Sequence, residues 1–186
     1  ALDADDGFVA ATNGLIDTRS GRFEAFRPDV LITKRLGCAF DPQARAPEFD
    51  RVLREAQPDP AVRAMLQRFF GAVLGGHGPA LQQFTIMVGE GANSKSTIVG
   101  AIEHVFGDLA VMIDPALLLE DGQSRESGRP DSALLALRGV RLAIGQETAE
   151  RDTLNVSRMK LFTGGDTLVG RAPYMREQIS FRPQFA

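Results

Sequence analysis

The chain has 186 residues, of which 44% are hydrophobic and 24% are charged, and its formal net charge at pH 7 is −3. This composition argues against disorder and allows one domain, or one domain with a smaller lobe. No apolar run approaches the ~18 residues that a membrane span requires, so we expect no membrane partner. A single cysteine, Cys38, excludes an internal disulfide and a cysteine-rich zinc site. We expect the small side chain of Cys38 to be buried or half-buried.

The first third of the chain predicts a small lobe. Residues 7–26 alternate turn residues with short β-like runs, which predicts a hairpin or meander. Apolar residues at helical spacing predict a short helix around 49–53 and a longer one over 61–74. The glycine-rich segment Gly75–Pro79 then breaks the chain. We therefore place a domain boundary at residue 78.

The next segment, from Phe84 to Gly100, reads F-T-I-M-V-G-E-G-A-N-S-K-S-T-I-V-G. The apolar run 84–88 predicts a strand, a glycine-rich turn follows, and the residues after Thr97 predict a helix. Strand, glycine turn, lysine, hydroxyl and helix in this order are typical of a P-loop.

Each part of this predicted loop has a physical reason to bind a nucleoside triphosphate. Glycines allow consecutive backbone N–H groups to surround phosphate oxygens, and the helix N-terminus adds the positive end of its dipole. Lys95 offers a positive charge to the β- and γ-phosphates, and Ser96 offers a hydroxyl to Mg²⁺. The predicted nucleotide-binding residues are Gly89, Glu90, Gly91, Ala92, Asn93, Ser94, Lys95, Ser96 and Thr97.

One position departs from the P-loop pattern. Ser94 stands where glycine normally precedes the lysine, and we expect its Cβ to crowd the phosphates or to strain the turn. The alternative interpretation is an ordinary strand, turn and helix in which Lys95 only occupies the first helical turn.

Beyond the P-loop helix, the pattern predicts a strand over 109–113, a mobile polar loop over 122–130 and a short helix over 132–137. A second apolar strand is predicted over 140–144, followed by Gly-Gln-Glu.

Glu147 ends that last segment. An acid at the end of a strand after the P-loop is where P-loop NTPases hold Mg²⁺ and the attacking water. Gln146 replaces the first of the two acids that are usual there, so Glu147 is the predicted catalytic acid. A surface glutamate after an edge strand is the alternative.

The C-terminal region predicts a helix over 154–162, closed by Gly164-Gly165, and then a β-hairpin over 167–183. Residues 151–186 hold six basic and three acidic side chains. This excess is compatible with a polyanion held at one face and also with an ordinary solvated surface.

The order of these motifs resembles the ATPase domain of superfamily 3 helicases of the phage, plasmid and poxvirus primase-helicase type. The segments Gly89–Thr97, Leu137–Leu142, Gln146–Thr148 and Met159–Arg171 carry the resemblance. The last is the most specific, because Lys160, Thr163, Gly164, Gly165, Asp166 and Arg171 all match the family pattern K-x-L-T-G-G-D-x-I-x-A-R. The N-terminal residues resemble the helical and hairpin domain that precedes this ATPase.

The resemblance implies an α/β fold, with a P-loop AAA+-like core over 79–186 after a small helical and hairpin lobe over 1–78. It implies a cytoplasmic protein, from a bacterial or virus-infected cell, that forms a homo-hexameric ring at full length. Such a ring uses ATP and Mg²⁺ to move along DNA, as a single strand or at a fork. The implied roles are catalytic for Lys95 and Glu147, Mg²⁺-holding for Ser96 and Glu147, and DNA-binding for Lys160, Arg171 and Arg176.

Members of this family continue into a sensor strand and an arginine that reaches the neighbouring subunit. We therefore expect the core to be incomplete at its C-terminus and the isolated chain to hydrolyse ATP negligibly. Two alternative functions remain open. One is a P-loop kinase or phosphotransferase with Arg125 and Arg129 in its lid; the other is a nucleotide-binding assembly module without turnover.

Overall fold

The computed structural model describes residues 7–89, 91, 93–120, 132–145, 152–175 and 177–186. In chain order, the elements are β1 (Phe8–Ala11), β2 (Gly14–Asp17), β3 (Phe23–Glu24), α1 (Pro47–Ala56), α2 (Pro60–Leu74), α3 (Gly78–Leu81), α4 (Lys95–Phe106), β4 (Ala110–Ile113), α5 (Ser132–Leu135), β5 (Leu142–Gly145), α6 (Val156–Thr163), β6 (Leu168–Gly170) and β7 (Ile179–Phe181). Short 3-10 helices follow α4 and β4. None of the helices in these described ranges is long and apolar enough to cross a membrane.

The chain divides into two units. The first takes the residues up to Gly75 together with Thr85–Leu109, and the second takes Gly76–Phe84 together with Ala110–Ala186. The predicted P-loop segment therefore belongs to the same unit as the N-terminal residues. The proposed domain boundary at residue 78 stays a prediction.

In the first unit, β1, β2 and β3 form an antiparallel meander, which confirms the prediction for residues 7–26. The turn between β1 and β2 is held by Asn13. Its side-chain oxygen accepts a hydrogen bond from the Phe40 N–H at 2.8 Å, and its side-chain N–H donates to the Phe40 carbonyl at 3.0 Å. The Phe23 and Phe40 rings stack with their centroids 5.3 Å apart. The meander is thus closed by the chain that follows it.

Helix α4 is fixed at its C-terminal end. The N–H of Leu36 donates to the Ala10 carbonyl of β1 at 2.8 Å, and the N–H of Gly37 donates to the Val105 carbonyl of α4 at 3.0 Å. A Cβ at Gly37 would collide with the backbone of the same helix end. This glycine therefore allows one short segment to connect β1 with α4, whose opposite end carries the predicted P-loop.

The prediction of a strand over residues 84–88 is wrong. This stretch adopts no regular secondary structure, and among the described residues no strand pairs with it. Ile86 and Val88 are 63% and 88% exposed. Apolar composition favours a strand, but a strand forms only where a neighbouring strand takes its backbone hydrogen bonds.

The second unit contains β4 and β5 as a parallel pair, in register from Ala110 opposite Leu142 to Ile113 opposite Gly145. Their carboxyl ends therefore lie at the same edge. The N–H of Ala186 donates to the Arg141 carbonyl and its own carbonyl accepts from Ala143, both at 3.3 Å, so the last residues run along β5. The buried cluster of this unit consists of Leu137, Val140, Phe162, Leu168, Phe181 and Phe185.

The predicted C-terminal hairpin is confirmed, since β6 and β7 pair antiparallel with Leu168 opposite Phe181. Both of these side chains are buried. A Cβ at Gly170 would lie 2.9 Å from a Leu135 methyl group, so α5 packs closely on the end of β6. The hairpin therefore rests on the core of its unit.

Candidate functional site

The ammonium group of Lys95 closes the loop that precedes α4. It donates to the backbone carbonyl of Gly89, where the loop begins, and to the side-chain oxygen of Asn93 at 2.9 Å. Lys95 itself is the first residue of α4. The positive charge of Lys95 thus links Gly89, at the beginning of the loop, to Asn93, near its end.

Glycine at position 89 leaves room for this closure. A Cβ at Gly89 would collide with the side-chain nitrogen of Asn93 and would lie 3.3 Å from the Lys95 ammonium nitrogen. The prediction that this glycine permits a tight loop is therefore supported by specific contacts, because a Cβ at Gly89 would displace the Asn93 side chain that accepts from Lys95.

Ser94 adopts the left-handed conformation, with φ +61° and ψ 9°. This agrees with the expectation that serine strains the turn, because a residue with a Cβ is less stable in this region than glycine by about 1–2 kcal/mol. Ser94 is the N-cap of α4, and its side chain makes no capping hydrogen bond. Its carbonyl accepts from the Ile98 N–H at 3.0 Å, which begins the helix.

The first turn of α4 carries the remaining predicted residues. The side chains of Ser96 and Thr97 are exposed, while Ile98 is buried and anchors the helix. Backbone N–H groups in the first turn of a helix have no partner within the helix, and the dipole adds partial positive charge there. Such groups, and a positive charge like that of Lys95, are the kinds of groups that bind anions.

Several predicted residues lie outside the described ranges. These are Glu90 and Ala92 of the loop, Gln146 and Glu147 after β5, Arg176 of the hairpin, and Arg125 and Arg129. The predicted mobile loop over 122–130 lies outside them as well. Strand β5 ends at Gly145, so in sequence Glu147 stands two residues beyond the strand.

The described residues contain no group of three or more His, Cys, Asp or Glu side chains that could hold a metal ion. Cys38 is half-buried, as predicted. Of the two residues predicted to hold Mg²⁺, only Ser96 is described; it offers an exposed hydroxyl at the start of α4.

The Met159–Arg171 segment begins on α6. Lys160 is exposed on this helix. The Thr163 hydroxyl donates to the Met159 carbonyl at 2.8 Å, and the Gly164 N–H donates to the Lys160 carbonyl at the same distance. Gly165 then takes φ +75°. The T-G-G part of the pattern therefore ends α6 and turns the chain towards β6.

Arg171 directly follows β6, so it begins the connection between the two hairpin strands. This residue is half-buried. Farther along this connection, Tyr174 is fully exposed and has a φ of +64°. The sequence reasoning missed Tyr174. Its signal was a Pro-Tyr pair at a hairpin turn within a basic segment.

Comparison with known proteins adds two kinds of similarity. Residues 1–58 match the protein family described as "D5 N terminal like". Over 188 residues, covering 99% of this chain, the sequence is 30% identical to a protein of Acanthamoeba polyphaga mimivirus that is named as a helicase. Over 178 residues, covering 91% of the chain, it is 29% identical to a helicase-named protein of Invertebrate iridescent virus 6.

The chain spans about a fifth of the length of these curated relatives, 19% of the first and 18% of the second. The match over residues 1–58 agrees with the resemblance found for the N-terminal residues, and it covers the β1–β3 meander and α1. The chain is therefore similar to viral helicase-named proteins along nearly all of its own length.

The conformation of Ser94 gives a direct prediction. Ser94→Gly removes the Cβ that disfavours a positive φ, so the free energy of unfolding should rise by about 0.5–1 kcal/mol after allowing for the greater chain entropy of glycine. Affinity for ATP should be equal or better. Denaturant unfolding and calorimetric titration measure the two effects.

Ser157→Gly is the matched control, because Ser157 is exposed in the first turn of α6 and glycine there should lower stability by about 0.5 kcal/mol. If Ser94→Gly destabilises the chain like the control, the turn is not strained by serine. If ATP affinity falls markedly, the serine side chain contacts the nucleotide.

Proposed function

We propose that this chain is the ATP-binding part of a DNA replication helicase of the D5 primase-helicase type. In the longer protein it couples ATP hydrolysis to movement along DNA. The observation that carries the proposal is the loop before α4, where Lys95 joins Gly89 to Asn93 and Ser94 takes a left-handed conformation. The two viral relatives named as helicases support the choice of a helicase over another nucleotide-binding protein.

Triphosphate binding in this proposal uses charges and dipoles that already lie together. The Lys95 ammonium exchanges its neutral partners, the Gly89 carbonyl and the Asn93 amide oxygen, for phosphate oxygens. The exchange replaces neutral acceptors with anionic oxygens, whose full negative charge attracts the ammonium, so it favours binding. The N–H groups at the start of α4 take further phosphate oxygens.

Magnesium and the attacking water involve two other residues. Ser96 would hold Mg²⁺ through its hydroxyl, and the ion supplies neutralisation of the phosphate charge. Glu147 would orient and polarise the attacking water. The proposal places Glu147 just beyond the carboxyl end of β5, in line with its sequence position after Gly145.

DNA contact is assigned to the C-terminal part of the chain. Lys160 is exposed on α6, Arg171 begins the connection between β6 and β7, and Arg176 belongs to the same connection in sequence. Basic side chains that follow a phosphate backbone bind without reading base sequence and lose affinity as salt rises. A motor that moves along any sequence needs this kind of contact.

The proposed assembly is a homo-hexameric ring formed by the longer protein. In related NTPases an arginine from a neighbouring protein raises the hydrolysis rate by roughly 10³–10⁵. A site at a subunit boundary would couple nucleotide state to the position of the DNA-binding hairpin. The family resemblance is the support for this part of the proposal.

The charge of Lys95 gives the first test. Lys95→Ala should weaken ATP binding by more than tenfold, a loss of at least ~1.4 kcal/mol, because it removes the ammonium that faces the phosphates. Lys34→Ala is the matched control, since it removes a lysine whose ammonium donates to the Asp108 carbonyl. The affinity of this control variant for ATP should equal that of the unchanged chain. Equal affinities of Lys95→Ala and the unchanged chain by calorimetry would rule out the P-loop interpretation.

Glu147 gives a test of catalysis in the longer protein. Glu147→Gln should preserve ATP binding and abolish most ATP hydrolysis, whereas Glu120→Gln, an exposed acid after the 3-10 helix that follows β4, should leave both unchanged. Stimulation of hydrolysis by DNA in the unchanged protein supports a motor. Hydrolysis that DNA does not affect would favour a phosphotransferase, and no hydrolysis would favour an assembly module.

A further inference from the structure

Tyr174 is the only tyrosine in a chain that contains no tryptophan. It is fully exposed, more than any other large apolar or aromatic residue in the described part of the chain. Within those described ranges it takes part in no ring stacking or side-chain hydrogen bond. An aromatic ring normally stabilises a fold by being buried, so the exposed ring of Tyr174 adds nothing to this one.

The backbone at Tyr174 is also unfavourable for tyrosine. The N–H of Met175 donates to the Ala172 carbonyl at 3.2 Å, which closes a four-residue turn with Pro173 second and Tyr174 third. The φ of Tyr174 is +64°. Glycine or asparagine is favoured at the third position of a turn with positive φ, and a large side chain costs stability there. Folding therefore gives no reason for a tyrosine at this position.

The two strands that flank the turn are packed against the core of the second unit. Leu168 and Phe181, opposite each other in β6 and β7, are buried in the core of the second unit. Gly170 lets the Leu135 side chain pack against the end of β6. The core therefore holds the two strands from which the connection bearing Tyr174 extends.

The charges around the turn select the ligand. Arg171 lies immediately before the turn. Arg176 comes two residues after Tyr174 in the sequence. Glu177 is the only acid between residues 168 and 182 in the sequence. An exposed aromatic ring beside basic side chains is the combination that binds single-stranded nucleic acid, because bases stack on the ring while the cations neutralise phosphates.

We propose that Tyr174 stacks on a base of single-stranded DNA and is the residue through which the β6–β7 hairpin holds the unpaired strand. The inference rests on the proposed helicase function and deepens it, since it adds contact with the face of a base to the backbone contacts of the basic residues. A single strand is required because the base faces in a duplex are covered by their neighbours. Stacking of this kind tolerates any base, as a translocating protein needs.

The absence of tryptophan makes the test direct, because tyrosine emission from the 186-residue chain comes from Tyr174 alone. At low salt, titration with an oligo-dT strand should quench this emission. An abasic strand of the same length and phosphate charge should bind through the backbone contacts with little quenching. Fluorescence anisotropy of labelled strands gives the affinities in parallel.

Four variants complete the test. Tyr174→Ser should weaken oligo-dT binding by roughly 5- to 100-fold and leave abasic binding unchanged, while Tyr174→Phe should keep the affinity. Tyr174→Gly should lose the same affinity yet raise Tm, because glycine suits the positive φ. Phe26→Ser is the control, since it removes a 56% exposed aromatic side chain from the other unit and should change neither binding nor Tm appreciably.

Equal binding of oligo-dT and abasic strands, with unchanged tyrosine emission, would overturn stacking and leave backbone-based DNA binding intact. Binding of neither strand would overturn both the stacking and the DNA part of the proposed function, while ATP affinity, measured separately, would still decide the nucleotide site. Loss of affinity for both strands on Tyr174→Ser would also contradict stacking, because it would show a general role for the turn in holding the hairpin.

Discussion

The closure of the loop between Gly89 and Lys95 sets where the lysine charge and the start of α4 lie in the proposed nucleotide site. It depends on two positions where a side chain is unfavourable. Gly89 leaves the space that Asn93 and the Lys95 ammonium occupy, and Ser94 adopts a positive φ despite its Cβ. Because α4 starts immediately afterwards, the loop ends in the lysine charge and in the N–H groups of the first helical turn. Without it, Lys95 would be an ordinary exposed lysine at a helix terminus.

The second unit uses a similar device at its hairpin, where Tyr174 also has a positive φ. Both positions lose folding stability compared with glycine, and both lie where the chain is proposed to meet a ligand. Residues in unfavourable backbone conformations concentrate at functional sites because the surrounding structure holds them there. At Ser94 the conformation arranges the backbone, whereas at Tyr174 it presents a side chain to solvent.

The sequence predicted most helices and strands because their residues combine local signals with a buried face. The meander was marked by Asn13-Gly14, α2 by its apolar spacing, and the end of α6 by Gly164-Gly165. The strand over 84–88 was not predictable, because pairing is decided by a partner and not by Ile86 or Val88 themselves.

The candidate site was predictable in its residue types and not in its contacts. The pattern before α4 indicated that Lys95 and the glycines matter, and it identified Ser94 as the departure. It gave no sign that Asn93 would bond to Lys95, since that contact depends on how the loop closes. The role of Tyr174 was not predictable from the sequence, because its exposure and its positive φ are properties of the folded turn.

A ¹⁵N–¹H NMR titration of the chain with ATP and Mg²⁺ tests the central claim most directly, because it reports on each backbone N–H separately. Binding at the proposed site predicts that the largest shifts fall on the N–H groups of Gly91 and of Asn93 through Thr97, with those of β6 and β7 hardly moving. Saturable shifts concentrated elsewhere in the chain, or no shifts at millimolar ATP, would contradict a phosphate-binding role for the loop before α4.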